Sequence, residues 1–211
     1  MTEVTDYDKA VARAAAGAIG GQPRVVEYLA EGDGGEPIAV LVSVDRPTEG
    51  FVAYSTVSLH RAENRIAERD IRVELLGVAP RSKAEFANVL AGAAALVAER
   101  GHAAAPGAVL PDVLADYEVS DTLQHVLLTD PFAYEELGSV ELDGGPPVHW
   151  LQAVPISESE RRFVLAHGFD ALEERFAQAE MEYWNLDRAS LVDPAEVERP
   201  LEFPPPGDDA G

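Results

Sequence analysis

Hydrophobic and polar positions follow the clearest pattern in residues 148–176, VHWLQAVPISESERRFVLAHGFDALEERF. The opening run is β-branched, aromatic or aliphatic, which favours a largely buried strand. Pro155 cannot donate to a sheet ladder, so the strand is predicted to end there. Ser157 and Glu160 have the spacing of a helix capping box, and Gly168 suits the end of that helix. A second amphipathic helix is predicted after the glycine.

The same periodicities predict the elements of the preceding chain. A first, alanine-rich helix is expected over residues 5–19, and Ser82 with Glu85 has the spacing of a second capping box. Apolar residues after that box recur at helical spacing, which is typical of a helix docked on a sheet. Further strands are predicted at 24–31, 37–44, 51–59, 71–78 and 125–129. The first three have short connections, which indicates an antiparallel meander.

The C-terminal residues 193–211 differ in composition from the rest of the chain. Five of the fifteen prolines fall within DPAEVERPLEFPPPGDDAG, so a packed core is not expected there. The sequence therefore predicts one domain over residues 1–192 and a proline-rich, acidic, disordered tail over 193–211.

Charge is the strongest compositional signal, with 16 basic and 38 acidic residues and a formal net charge of −22. Such a surface repels nucleic acid and anionic membranes and attracts basic partners. Two interpretations stay open at this point. The acidity either serves capture of a cationic protein or reflects the composition of the host proteome, since lysine occurs only at Lys9 and Lys83.

The chain contains no pattern that indicates catalysis. It has no cysteine, its five histidines lack the spacing of a zinc site, and it has no phosphate-binding glycine loop or nucleophile elbow. No window approaches a membrane span, and the N-terminus does not resemble a signal peptide. We therefore expect a cytoplasmic protein with no catalytic residues, no cofactor and no metal.

Two aromatic residues near the predicted end of the domain are the candidate site. Tyr183 and Trp184 lie close to Asp187 and Arg188, and Trp, Tyr and Arg dominate binding hot spots. The alternative interpretation is that the two rings cover the end of the core. We predict that these four residues contact a protein partner.

Several phrases, taken in order, resemble the suppressor-of-fused-like domain family over about residues 20–192. They are AYSTVSL (53–59), VELLGVAP (73–80), HVLLTDP (125–131), WLQAVPISESE (150–160) and NLDRASLV (185–192). This resemblance implies an α+β fold, with a mixed, mainly antiparallel central sheet and helices packed against it. It also implies the absence of cofactors and catalytic residues.

The resemblance carries expectations about function. Animal members of the family sequester a transcription factor and hold an extended peptide partly by strand addition, and bacterial single-domain members are similar to immunity proteins of polymorphic toxin systems. We therefore expect a non-catalytic, monomeric or weakly dimeric protein that neutralises a toxin, such as a basic toxin domain, by direct binding. The alternatives are a regulatory adaptor that sequesters another cellular protein and an unrecognised enzyme.

Overall fold

A computed structural model of the 211-residue chain describes residues 3–29, 36–115 and 117–198. Seven strands form one sheet in the order β1-β2-β3-β6-β9-β8-β7, and β4 and β5 form a separate small hairpin. The strands are β1 Arg24–Tyr28, β2 Ile38–Val44, β3 Phe51–Thr56, β4 Arg65–Ile66, β5 Arg69–Asp70, β6 Arg72–Pro80, β7 Val109–Leu110, β8 Leu123–Thr129 and β9 Val148–Ser157. The helices are α1 Asp6–Ile19, α2 Phe86–Arg100, α3 Glu158–His167, α4 Phe169–Gln178 and α5 Pro194–Glu198.

Strand pairing confirms the expected α+β fold with a mixed, mainly antiparallel sheet. β1, β2, β3 and β6 pair antiparallel in succession, as the predicted meander requires, and β7, β8 and β9 also pair antiparallel. β6 and β9 form the parallel pair in the middle of the sheet. Because a parallel connection must cross over the sheet, the chain between β6 and β9 contains α2 and returns through β7 and β8.

Helix α2 covers one face of the sheet. Its apolar stripe packs with inward-facing residues of β2, β3 and β6 in the largest buried cluster. Gly77 of β6 allows this close approach, because a Cβ atom at that position would lie 2.5 Å from Cε1 of Phe86. The ring of Phe86, the first residue of α2, therefore lies directly on the sheet and is fully buried.

The opposite face is covered by α1 and by the α3–α4 pair. Val11, Ala15 and Ile19 of α1 pack around Trp150, whose indole Nε1 donates to the Ser55 hydroxyl at 2.9 Å. A third buried cluster joins α3 and α4 to the ends of β8 and β9. Both faces of the central strands are thus buried, which explains their nearly continuous apolar sequences.

Strand β9 does not end at Pro155, and that prediction was wrong. The strand continues to Ser157 because its parallel pairing with β6 extends only as far as Gln152, so β9 then pairs with β8 alone. Proline is tolerated where the N–H would face an unpaired edge. Arg188 covers this edge and donates to the Pro155 carbonyl at 2.9 Å.

The two predicted capping boxes have different outcomes. Ser157 and Glu160 cap α3 reciprocally, and that helix ends at Gly168, whose φ is +88°. The box predicted from Ser82 and Glu85 is wrong, because α2 begins at Phe86 and Glu85 makes no side-chain capping bond. Glu85 already has a helical conformation, and tight backbone turns lead into the helix.

A short helix directly follows the predicted boundary between the domain and the tail at residue 193. Helix α5, Pro194–Glu198, contacts α3, and Arg175 of α4 forms an ion pair with Glu196 at 2.7 Å. The remainder of the predicted tail, residues 199–211, lies outside the described residues. None of the helices in the described ranges is long and apolar enough to cross a bilayer.

Candidate partner-binding surfaces

Four aromatic rings form a continuous row on the face that α1 and α4 cover. Phe51 begins β3, Phe132 follows β8, and Tyr183 and Trp184 follow α4. Successive ring centroids lie 5.8 Å (Phe51–Trp184), 4.6 Å (Trp184–Tyr183) and 4.8 Å (Tyr183–Phe132) apart, and each pair packs edge to face. This geometry is favourable for aromatic side chains. We refer to these four residues as the aromatic row.

The aromatic row is partly buried and partly open to solvent. Phe132 is 46% exposed, whereas Tyr183 and Trp184 are half-buried against the core beneath α1. Burial raises the pKa of Tyr183. Tyr183 and Trp184 therefore cover the end of the core, as one interpretation of the sequence expects. They also keep accessible surface, which the other interpretation, contact with a partner, requires.

Asp187, the third predicted contact residue, has a cation partner within the chain. Its carboxylate is exposed, and the Nζ of Lys83 lies 2.8 Å from it. Lys83 also donates to the Val119 carbonyl at 2.9 Å. Asp187 consequently ties its segment to the loop that precedes α2.

Arg188, the fourth predicted contact residue, points inward. Its guanidinium forms two bonds with Glu160, of 2.6 and 2.9 Å, and the side chains are 9% and 0% exposed. The same carboxylate accepts the backbone N–H groups of Ser157 and Leu191, both at 2.9 Å. Arg188 therefore fixes the C-terminal segment to the start of α3, and its charged group is not part of the open surface.

Three carboxylates lie together near one end of the aromatic row. Asp130 follows β8 directly and precedes Phe132 by two residues, and Asp170 and Glu173 belong to α4. Burial, followed by the charges of Asp170 and Asp130, raises the pKa of Glu173. Within the described ranges, none of the three carboxylates forms an ion pair with a basic side chain.

The free edge of the sheet at β1 is a second open surface. Among the described residues, β1 pairs only with β2, so that the backbone groups on its outer side have no partner strand there. Val25 of β1 and Val4, before α1, are 52% and 59% exposed beside a groove of about 500 Å³. An edge of this kind can accept an extended partner strand through main-chain hydrogen bonds.

A buried ionic cluster anchors α1 to the sheet beside this groove. The His60 ring has Nδ1 2.6 Å from the Glu74 carboxylate and Nε2 3.0 Å from that of Asp8. Arg61 donates to the same Asp8 oxygen at 2.9 Å. Burial opposes ionisation of Asp8, but hydrogen bonds from Arg61 and Thr5 hold its pKa well below the usual range. The cluster joins α1, the turn after β3 and β6.

Neither of the two buried histidines is arranged to activate a nucleophile. His125 Nδ1 accepts the Asp112 backbone N–H at 2.9 Å, which leaves Nε2 to donate to Glu158 at 2.9 Å. Both nitrogens of His60 face carboxylates. Residues 3–29, 36–115 and 117–198 contain no group of three or more acidic or histidine side chains able to hold a metal ion.

Comparison with known proteins decides the family. The sequence model of the suppressor of fused protein family matches residues 34–189, which is most of the chain. The chain belongs to the suppressor of fused family. Immunity protein YqcF of Bacillus subtilis (strain 168) is 29% identical over 191 residues, which cover 90% of this chain and 99% of that relative.

Solved structures of suppressor-of-fused proteins share the fold. A homolog from Neisseria gonorrhoeae FA 1090 superposes with a TM-score of 0.66 at 19% identity, covering 89% of this chain and 98% of that one. A chain of the Sufu–Fu complex gives 0.62 at 16% identity, with 88% and 92% covered. Drosophila Suppressor of Fused gives 0.60 at 17% identity, with 87% of this chain and 50% of that one covered.

The two open surfaces relate differently to the suppressor-of-fused match. The aromatic row and the Arg188–Glu160 pair lie inside residues 34–189, whereas α1 and β1 precede it. Sequence reasoning identified Tyr183 and Trp184 but missed Phe51 and Phe132. Each of the missed residues stands alone at a strand end, and only the fold places it beside the other two.

Proposed function

We propose that this chain is a non-catalytic immunity protein that neutralises a protein toxin by direct, stoichiometric binding. The observation that carries this proposal is the end-to-end similarity to a relative named an immunity protein. The net charge of −22 is compatible with a basic toxin domain as partner, because opposite charges accelerate encounter and favour correct docking.

We assign different roles to the four residues that the sequence predicts as contacts. Tyr183 and Trp184 contact the toxin through the exposed edges of their rings, since aromatic residues are enriched at binding hot spots. Asp187 and Arg188 act indirectly, because their bonds to Lys83 and Glu160 hold the segment that presents the two rings.

The first test is coexpression with the product of the neighbouring gene in the host genome, as the candidate toxin. Cells that produce both proteins should grow, and cells that produce the toxin alone should not. With purified proteins, inhibition of the toxin should reach its end point at equal molar amounts and should not deepen with longer incubation. Inhibition by substoichiometric amounts that increases with time would instead indicate enzymatic inactivation, and absence of a complex would exclude the proposal.

A second candidate function is a regulatory adaptor that sequesters a non-toxic protein. The similarity in fold to the protein in the Sufu–Fu complex favours this alternative, because that complex shows a family fold bound to another protein. The two candidates differ in the properties of the partner. Expression of the isolated partner without this chain stops growth under the first proposal and has no such effect under the second.

A further inference from the structure

We propose that the Phe132 end of the aromatic row, with the carboxylates beside it, binds an arginine side chain of the protein partner. This inference rests on the proposed function, and it names the chemistry by which the surface recognises its target. Two features of the structure support it: the exposed aromatic surface at Phe132, and nearby carboxylates that have no basic partner in the described part of the chain.

The exposed aromatic surface lies where a cation can approach it. Phe132 is 46% exposed and contacts Tyr183 edge to face, so the free face of its ring is not covered by that contact. Aromatic faces attract guanidinium and ammonium groups through the ring quadrupole. The remaining rings hold Phe132 and Tyr183 in place, since the contacts continue through Trp184 to Phe51.

The distribution of charge selects a cation and its position. Burial raises the pKa of Glu173, and the nearby charges of Asp170 and Asp130 raise it further. None of these three carboxylates has a basic partner in the described ranges. Arg46 lies at the opposite end, where its backbone N–H bonds to the Phe51 carbonyl. A guanidinium therefore gains most at the Phe132 end, where it relieves repulsion between carboxylates.

Arginine suits this surface better than lysine. The planar guanidinium can stack on an aromatic face while its N–H donors reach a neighbouring carboxylate. An ammonium group is a compact charge that attracts the same carboxylates but does not stack. The surface is thus expected to distinguish the two cations, whereas a diffuse acidic surface would not.

The test uses ten-residue peptides of alternating arginine and glycine, or lysine and glycine, at about 150 mM salt. Trp184 reports on the site, because Trp150, the second tryptophan, is fully buried. The arginine peptide should bind about fivefold more tightly than the lysine peptide and should change the Trp184 emission, as expected for an exposed cation–π contact. Equal binding of the two peptides, or unchanged emission, would overturn the inference.

Matched variants separate this surface from general acidity. Phe132→Ala and Glu173→Gln should each weaken binding of the arginine peptide by about threefold or more. Leu29→Ala and Glu99→Gln, which remove a more exposed apolar side chain and an equal charge elsewhere, should leave it unchanged. Equal losses in both pairs of variants would show that only the overall charge attracts the peptide, which contradicts the proposal.

Coexpression with the toxin distinguishes failure of this inference from failure of the proposed function. Phe132→Ala, verified as folded by circular dichroism, should protect cells less well than the wild-type chain. Full protection by this variant would exclude the aromatic row as the contact surface while the immunity function stands. If the wild-type chain gives no protection, the immunity function falls, and the peptide measurements still decide whether the surface binds arginine.

Discussion

The Glu160 carboxylate is fully buried, and Arg188 is the cation that neutralises it. Removal of one partner from a buried pair leaves an uncompensated charge, which typically costs about 3–5 kcal/mol. Arg188→Ala is therefore expected to lower the free energy of unfolding by about that amount, measured by urea denaturation. Arg162→Ala is the control, because its ion pair with Glu158 is exposed and should contribute less than about 1 kcal/mol. Equal, small losses in both variants would contradict a clamping role for Arg188.

Ionised Glu158 is expected to make the stability of the protein depend on pH in the acid range. A hydrogen bond from Arg161 lowers its pKa to about 2, with further help from Arg162 and His125 and against the effect of burial. A carboxyl group with a depressed folded-state pKa stabilises the fold above its unfolded pKa of about 4.3, and that stabilisation disappears as the pH falls to about 2. Because 34% of the Glu158 side chain is exposed and solvent screens its charge, we expect it to contribute about 1 kcal/mol to the free energy of unfolding.

The Glu158→Gln variant tests this pH dependence. Its free energy of unfolding should lie about 1 kcal/mol below that of the wild type at about pH 7, and the difference should shrink as the pH falls from about 5 to about 2. Urea denaturation at several pH values provides the measurement. A difference that is independent of pH would show that the ionised form of Glu158 does not stabilise the fold.

The sequence indicated part of the candidate site at the level of single residues. Adjacent aromatic residues are visible as such, so Tyr183 and Trp184 could be identified. Arg188 was equally visible, but its inward orientation depends on Glu160, 28 positions earlier. Long-range pairing of this kind leaves no local pattern, and only the packing of α3 against the C-terminal segment reveals it.

The cap of α3 is the clearest test at the level of whole elements. Ser157 accepts the Glu160 N–H at 3.2 Å, and its hydroxyl also donates to Ser190 at 2.8 Å. Ser157→Ala should therefore destabilise the protein by about 1–2 kcal/mol. Ser82→Ala removes the same group from the capping sequence that α2 does not use, and it should change stability by less than about 0.5 kcal/mol. A similar loss from both substitutions, measured by thermal denaturation, would contradict the observed caps.

Elements could be predicted where a local pattern determines them. The meander of β1 to β3 has the alternation and short turns that define antiparallel strands, and the structure confirms it. The end of β9 was mispredicted because proline is excluded only from strands paired on both sides. The pairing of β6 with β9 stops at Gln152, before Pro155, and this limit is visible only in the assembled sheet. The short strand β7 and the β4–β5 hairpin, at two residues each, are below the length at which periodicity is visible.

At the scale of the whole molecule, the net charge of −22 has two explanations, a function in partner capture or the composition of the host proteome. Association kinetics with the proposed toxin partner can distinguish them. Charge complementarity mainly accelerates association, and this acceleration weakens as salt shortens the range of the field. If the acidity serves capture, the association rate constant should fall by about tenfold or more between about 20 and about 500 mM sodium chloride. Surface plasmon resonance measures this dependence.

The Phe132→Ala variant separates local contact from long-range attraction in the same experiment. Substitution of a neutral side chain leaves the field of the molecule intact, so the variant should show the wild-type salt dependence of association together with faster dissociation. An association rate that does not respond to salt would mean that the 38 acidic residues do not steer the partner. The acidity would then be explained by the composition of the host proteome, and binding of the proposed toxin partner would depend on short-range contacts alone.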